Sequence, residues 1–261
     1  MKHNHFGARS IDEYAYSSKL KTWNSSLKVL FSFIIMILSI CSHNVIVPIL
    51  IAVSAGVITV YNGRIRIREY ISLMCIPLVF LIMTSIAIVL DFRISGGFSV
   101  KVLPENVYKA VYISCRAMGA VSAMYMMSLS TPVTEIIAVL GNLKLPFIII
   151  ELMNLMYKYI FVLLDSQAKM KNSAAARLGY CNFRTSLKTF ALICGNLFAV
   201  SLRRASDYYN AIESRCSGGK IKFMYQKKPI KLMQVVFFII YIVLIGLSEI
   251  LLDTILKGTI L

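Results

Sequence analysis

Residues 147–164 read Phe-Ile-Ile-Ile-Glu-Leu-Met-Asn-Leu-Met-Tyr-Lys-Tyr-Ile-Phe-Val-Leu-Leu. How this run meets the bilayer decides the fold. A spanning helix takes about 17–25 residues, so the run is long enough to cross. Five other apolar runs fall at 27–41, 45–61, 70–90, 107–129 and 232–252. The segment that follows, 165–231, holds thirteen Lys or Arg against three acids, Asp165, Asp207 and Glu213. Positive charge beside membrane spans marks the cytoplasmic side. Arg64, Arg66 and Arg68 place the loop after the second run inside, and the N-terminus with it. Four crossings from an inside start return the chain inside near Ser130. A full crossing at 147–164 would then put the basic segment outside. The run also carries Glu151 and Lys158, each costing about 2.5–3.5 kcal/mol at a helix centre. The expectation is therefore that 147–164 lies along the cytoplasmic face as an apolar helix entered after Leu145-Pro146. Five crossings result, the last at 232–252, with the C-terminus outside. Six crossings, with one short early run not spanning, is the alternative.

Composition agrees with a membrane protein. The chain has 261 residues, is 58% hydrophobic and carries a net charge of +16. Soluble domains run nearer 45–50% apolar. The basic residues gather beside the apolar runs, as topology requires, so nucleic acid is not the partner they imply. Of the six cysteines (Cys41, Cys75, Cys115, Cys181, Cys194, Cys216), none forms a CxxC pair. Nothing suggests a disulfide framework or a zinc site. The polar N-terminus gives no cleavable secretory signal.

The expected class is all-α integral membrane protein, with about five transmembrane helices and a cytoplasmic helical coupling region. Three sections follow: 1–129 with the N-terminal tail and four spans, 130–231 with the cytoplasmic and interfacial helices, and 232–261 with the final span. In the middle section one helix is expected from Asp165 to Arg177, stopped by Leu178-Gly179. A second is expected from Thr185 to Ile212, on apolar residues at three- or four-residue intervals, broken at Cys216-Ser217-Gly218-Gly219. Two Arg-centred sequences thus end two helices: Ala-Ala-Arg-Leu-Gly at 175–179 and Glu-Ser-Arg-Cys-Ser at 213–217. Each arginine can complement a helix dipole, worth about 0.3–1 kcal/mol. Each can equally fork onto a carboxylate in a partner's groove. Arg116, in the outer third of the fourth span, is open to a functional role. It can also snorkel, or pair with Asp91, Glu249 or Asp253.

Four stretches together resemble a known family. They are Ile11-Asp12-Glu13-Tyr14-Ala15 with Ser18-Lys19-Leu20 and Ser25-Ser26-Leu27-Lys28; Leu129-Ser130-Thr131-Pro132 with Leu143-Lys144-Leu145-Pro146; Gln167 to Gly179; and Ser201-Leu202-Arg203-Arg204-Ala205 through Arg215. In this order the chain resembles the transmembrane T-component of energy-coupling factor (ECF) transporters, in its cobalt-transport CbiQ branch. The resemblance implies two coupling helices that dock onto a pair of cytoplasmic ATP-binding subunits. It also implies a substrate-binding membrane subunit of the CbiM type as partner, within the cell membrane. Carried over, the docking signatures are Ala176-Arg177-Leu178 and Ser214-Arg215-Cys216. Leu178 and Cys216 stand where the family's pattern has Gly, and Ser214 stands where it has Ala. The apolar helix at 147–164 would face the substrate-binding subunit.

No Walker lysine loop, GxSxG, HExxH or GxGxxG is present, so no ATP hydrolysis, enzyme activity or cofactor is expected of this chain. His3 could bind a metal through the amine end of Met1-Lys2-His3, or belong to a polar tail. His43 reads as a turn residue. Met124, Met126 and Met127 read as packing. The resemblance points to cobalt or nickel uptake. A vitamin-type T-component, a conventional ABC permease and an autonomous secondary carrier are the alternatives. A carrier would want internal repeats with broken helices, and none is convincing.

Overall fold

The computed structural model of the chain describes residues 8–42, 44–63, 65–93, 99–102, 104–143, 145–215 and 228–258. In chain order these hold α1 (Ala8–Ser17), a 3-10 turn (Lys19–Thr22), α2 (Ser25–Cys41), α3 (Ile46–Gly63), α4 (Ile67–Val89), β1 (Leu90–Arg93), β2 (Ser99–Val102), α5 (Pro104–Ser130), α6 (Val133–Asn142), α7 (Phe147–Ala176), α8 (Phe183–Glu213) and α9 (Leu232–Gly258). The protein is an all-α multi-pass membrane protein. Among the described residues a short antiparallel pair is added, with Leu90 opposite Val102 and Arg93 opposite Ser99. Two compact units form, one from 1–139 with 226–261, the other from 140–225.

Among the described residues, five helices are long and apolar enough to cross a membrane: α3, α4, α7, α8 and the Leu232–Leu252 part of α9. The pair α5 and α6, bent by 102°, would make a sixth if it is one span. At 17 residues, α2 falls short of that length. This set differs from the expected one. The run at 147–164 and the helix expected from Asp165 are one unbroken helix of 30 residues. No Gly or Pro interrupts it, and Ser166 Oγ donates to the Val162 carbonyl at 3.0 Å across the expected boundary. Likewise α8 begins at Phe183, two residues before the expected Thr185.

The first unit is built around α5, which packs on α1, α2, α3 and α4. Its inward face carries Gly119, Ser122, Ala123 and Met126, all buried. Small residues spaced three and four apart let helix backbones approach closely, which drives packing where lipid competes equally for apolar side chains. A Cβ on Gly119 would stand 2.8 Å from the Pro48 carbonyl oxygen and collide with Ser39 Oγ. Polar side chains then tie the helices to one another's backbones. Ser39 Oγ donates to the Arg116 carbonyl at 3.1 Å, and Ser122 Oγ to the Ala52 carbonyl at 3.0 Å. Tyr112 donates to the Ser42 carbonyl at 2.9 Å, and Tyr125 to the Leu73 carbonyl at 3.2 Å. On α9, Phe238 stacks on Phe31 at 4.1 Å and meets Trp23 at 5.6 Å. The Arg116 guanidinium lies over the Tyr112 ring, 4.8 Å from its centroid. Its Nε is buried without a hydrogen-bond partner.

One end of this unit is a polar clasp. The α5–α6 bend at Ser130-Thr131-Pro132 is held from three sides. Asp12 accepts from the Val133 N–H at 3.3 Å and caps α6. Lys28, buried, donates to the Ser130 carbonyl at 2.9 Å, where α5 leaves its last carbonyls open. Glu135 pairs with Lys228 at 2.5 Å and accepts from Ser25. Asn24 caps α2 by accepting from the Ser26 and Leu27 N–H groups, and its Nδ2 donates to the Lys228 carbonyl at 2.7 Å. The opening motif and the Ser-Thr-Pro motif therefore meet in space. Asp12→Ala removes the α6 cap, and a loss of about 1 kcal/mol is expected. Thermal unfolding followed by the fluorescence of Trp23 measures it, and an unchanged midpoint would contradict the capping role.

Candidate functional site

The second unit is a helical hairpin, and its register follows from three contacts. Thr189 Oγ1 donates to the Gly179 carbonyl at 2.8 Å. Arg204 donates to Ser166 Oγ at 3.1 Å and to the Val162 carbonyl at 3.4 Å. Tyr159 and Tyr208 meet edge to face at 5.8 Å. As the position advances along α8, its partner recedes along α7, so the two helices run antiparallel. Arg177 sits at the turn and Arg215 at the far end of α8. With 31 residues in α8 and a rise of about 1.5 Å each, the two lie about 45 Å apart along the hairpin.

The first arginine ends α7 in a Schellman arrangement. Three alanines, Ala174 to Ala176, carry the helix to its last turn, and Arg177 is the C-cap. The Leu178 N–H donates to the Ala175 carbonyl at 3.1 Å, and the Gly179 N–H to the Ala174 carbonyl at 2.8 Å. Those are the two bonds that close this kind of helix end, and they call for a left-handed residue between them. Leu178 supplies it, with φ of 58°. Sequence reasoning gave the stop to Leu178-Gly179 together, yet the glycine is not the left-handed residue. Gly179 serves close approach instead. A Cβ there would stand 2.8 Å from the Ala174 carbonyl oxygen and 3.0 Å from Thr189 Oγ1.

The second arginine ends α8 differently. Ser214 is a right-handed C-cap whose N–H bonds the Asn210 carbonyl at 3.0 Å, and the Arg215 N–H bonds the Ile212 carbonyl at 3.2 Å. Ala176, Arg177, Leu178, Ser214 and Arg215 are all exposed. Neither arginine has an ion-pair partner among the described residues, so both guanidinium forks are available. Cys216, with Gly218 and Gly219 after it, lies outside the described residues, as do His3, His5, His43, Arg64 and Lys144. No group of metal-ligating side chains occurs among the described residues. The site is therefore two separated cationic helix ends.

Sequence reasoning missed two residues that shape it. Arg204 braces the hairpin at mid-length, and the only signal was a basic residue on an otherwise helical face. The left-handed turn at Leu178 was legible only as a missing glycine.

Fold and site together define a multi-pass helical membrane protein whose exposed arginine chemistry is carried on a long two-helix hairpin. The chain belongs to the CbiQ family, whose model, described as cobalt transport protein, matches residues 16–225. That membership gives it a role in cobalt transport. An uncharacterized protein of Methanocaldococcus jannaschii is 29% identical over 231 residues, covering 86% of this chain and 84% of the relative. A putative fused cobalt transport protein CbiMQ of Methanocorpusculum labreanum is 27% identical over 227 residues, covering 83% of this chain and 38% of the fused protein. The cobalt transport protein CbiQ of Salmonella typhimurium is 25% identical over 221 residues, covering 80% and 97%.

Proposed function

We propose that this chain is the energy-coupling membrane subunit of an ECF-type importer for cobalt or nickel, joining two cytoplasmic ATP-binding subunits to a CbiM-like substrate-binding subunit. The observation that carries the proposal is the antiparallel hairpin with an exposed arginine at each end. One rigid element then offers a guanidinium to each of two partners, and a carboxylate in each partner's groove completes a bidentate, charge-assisted pair. The basic composition of 165–231 favours the cytoplasm for this hairpin and for the N-terminus. The CbiM-like partner is supported by the fused relative, whose name joins both parts in one polypeptide. The chain binds no ATP itself, and its work is mechanical. ATP binding draws the two ATP-binding subunits together, the hairpin moves with them, and the exposed apolar side chains of α7, such as Ile148, Leu152 and Met156, transmit that motion to the substrate-binding subunit.

The test is Arg177→Glu with Arg215→Glu in the tagged chain co-expressed with its partners. Membrane insertion is expected to be unchanged. Co-purification of the ATP-binding subunits is expected to fall at least tenfold, because each change replaces an attraction by a like-charge contact. Full co-purification of the double variant would refute the docking role.

A further inference from the structure

Arg116 is a charged side chain on α5, among the membrane-crossing segments, and neither the clasp nor the α7–α8 hairpin uses it. Among the described residues no carboxylate pairs with it, and its Nε is buried without a hydrogen-bond partner. A buried N–H left open is costly, so such a group marks a partner from outside the chain. A charge at membrane depth points the same way.

The surroundings of Arg116 fix where that partner lies. The helices α2 and α3 form a hairpin of 17 and 18 residues, about 26 Å of helix each, against a hydrocarbon core of about 30 Å. The clasp closes one end of that hairpin, and Ser42 and Asn44 turn it at the other, where Ser42 Oγ donates to the Asn44 carbonyl at 3.0 Å. Tyr112 bonds the backbone at this tip, through the Ser42 carbonyl. One turn further in, Ser39 donates to the Arg116 carbonyl, so Arg116 starts about 5.4 Å below the tip. Helical side chains lean toward the N-terminus of their helix, and for α5 that direction leads out of the bilayer. The guanidinium accordingly lies over the Tyr112 ring, and Tyr112 stacks on Tyr108 at 6.3 Å. Tyr108 is 64% exposed, and exposed tyrosines at the ends of spans mark the headgroup level. Helices as short as α2 and α3 also thin the bilayer around them, which brings headgroups down toward Arg116. Ile113 and Ile40, next in sequence to this part of α5 and α2, are exposed, so lipid reaches the seam between the two helices.

We propose that Arg116, set against Tyr112, binds the phosphodiester of an anionic phospholipid in the leaflet away from the polar clasp. The guanidinium forks onto two phosphate oxygens, and the tyrosine face shelters the cation from hydrocarbon. A carboxylate of another membrane protein would fit the same fork. The phospholipid fits the depth, the tyrosine pair and the lipid-facing flanks together. One bound headgroup then ties α5 to the tip of the α2–α3 hairpin, at the end the clasp does not reach.

The full chain, purified in a neutral detergent, is titrated with dioleoylphosphatidylglycerol or dioleoylphosphatidylcholine, and bound lipid is read by native mass spectrometry. The parent chain is expected to hold one phosphatidylglycerol about tenfold more tightly than phosphatidylcholine, whose own cation competes with the guanidinium. Arg116→Gln is expected to abolish that preference, and Arg116→Lys to keep part of it, as a charge without the fork. Lys109→Gln, an exposed cation nearer the start of the same helix, is expected to leave it unchanged. Excess inorganic phosphate is expected not to displace the lipid. Equal affinity of the parent chain for the two lipids overturns the site, however the variants fold. So does a preference that survives Arg116→Gln, or one lost equally in Lys109→Gln, which would reduce it to general surface charge. Displacement by inorganic phosphate would make the ligand a free anion and overturn the lipid assignment.

Discussion

Gly119→Ala is expected to lower the thermal midpoint of the first unit by up to about 10 °C. The added Cβ would stand 2.8 Å from the Pro48 carbonyl oxygen and 3.3 Å from the Pro48 Cα, and would strike Ser39 Oγ. Serine can rotate away, but the backbone of α3 cannot do so without parting from α5. Overpacking a tight interface costs about 1–3 kcal/mol, and more where backbone must move. Each kcal/mol shifts the midpoint of a chain this size by about 2–4 °C. The shift would also break the Ser39 bond to the Arg116 carbonyl. Gly246→Ala is the control. Nothing lies within 4 Å of a Cβ at that position in α9. Alanine there is expected to be neutral or to raise the midpoint slightly, by the higher helix propensity of alanine. Trp23, the single tryptophan, lies against Phe237 and Phe238 and reports both transitions. Equal midpoints for the two variants would show that α3 and α5 do not touch as described.

Removing Glu135 is expected to cost about 1.5–3 kcal/mol, the range for hydrogen bonds to charged groups, because its pair with Lys228 is half-buried. Its carboxylate holds Lys228 directly, accepts from Ser25, and acts electrostatically on the buried Lys28. Glu135→Ala leaves two ammonium groups close together with no anion between them. Glu135→Met combined with Lys228→Met removes opposite charges together and is expected to recover part of the loss. The comparison is a double-mutant cycle on the Trp23 midpoint. If the single variant melts like the parent, the pair is ornamental and the clasp is held by its other bonds.

Much of the fold was legible because apolar runs are a strong signal. The positions of α3, α4, α5 and α9 follow from run length alone. What the runs could not show was continuity. The helix break expected between Leu164 and Asp165 came from a change in polarity, and polarity does not end a helix when the residues on both sides favour one. The tight α5–α6 bend lay hidden because α6 is amphipathic and short, and its start depends on a cap donated by Asp12, more than a hundred residues earlier in the chain. At the candidate site, both arginines and the ends of their helices could be read locally. The antiparallel register could not, because it rests on Arg204, Thr189 and Tyr208 finding partners across the hairpin. The left-handed leucine is a case where the bond pattern of the helix end overrode residue preference.

The polar clasp also sets a timetable. Synthesis runs from the N-terminus, and Lys28 is among the first charged groups delivered to the bilayer. Glu135, the carboxylate that acts on it, emerges about a hundred residues later, and Lys228, with which Glu135 pairs, after two hundred. The early helices thus dwell in the insertion machinery with an unmet cation, and their assembly is sealed only when the stretch before the last helix arrives. A ribosome stalled before residue 228 would leave the bundle unlatched and open to the quality-control proteases that recognise orphaned membrane segments.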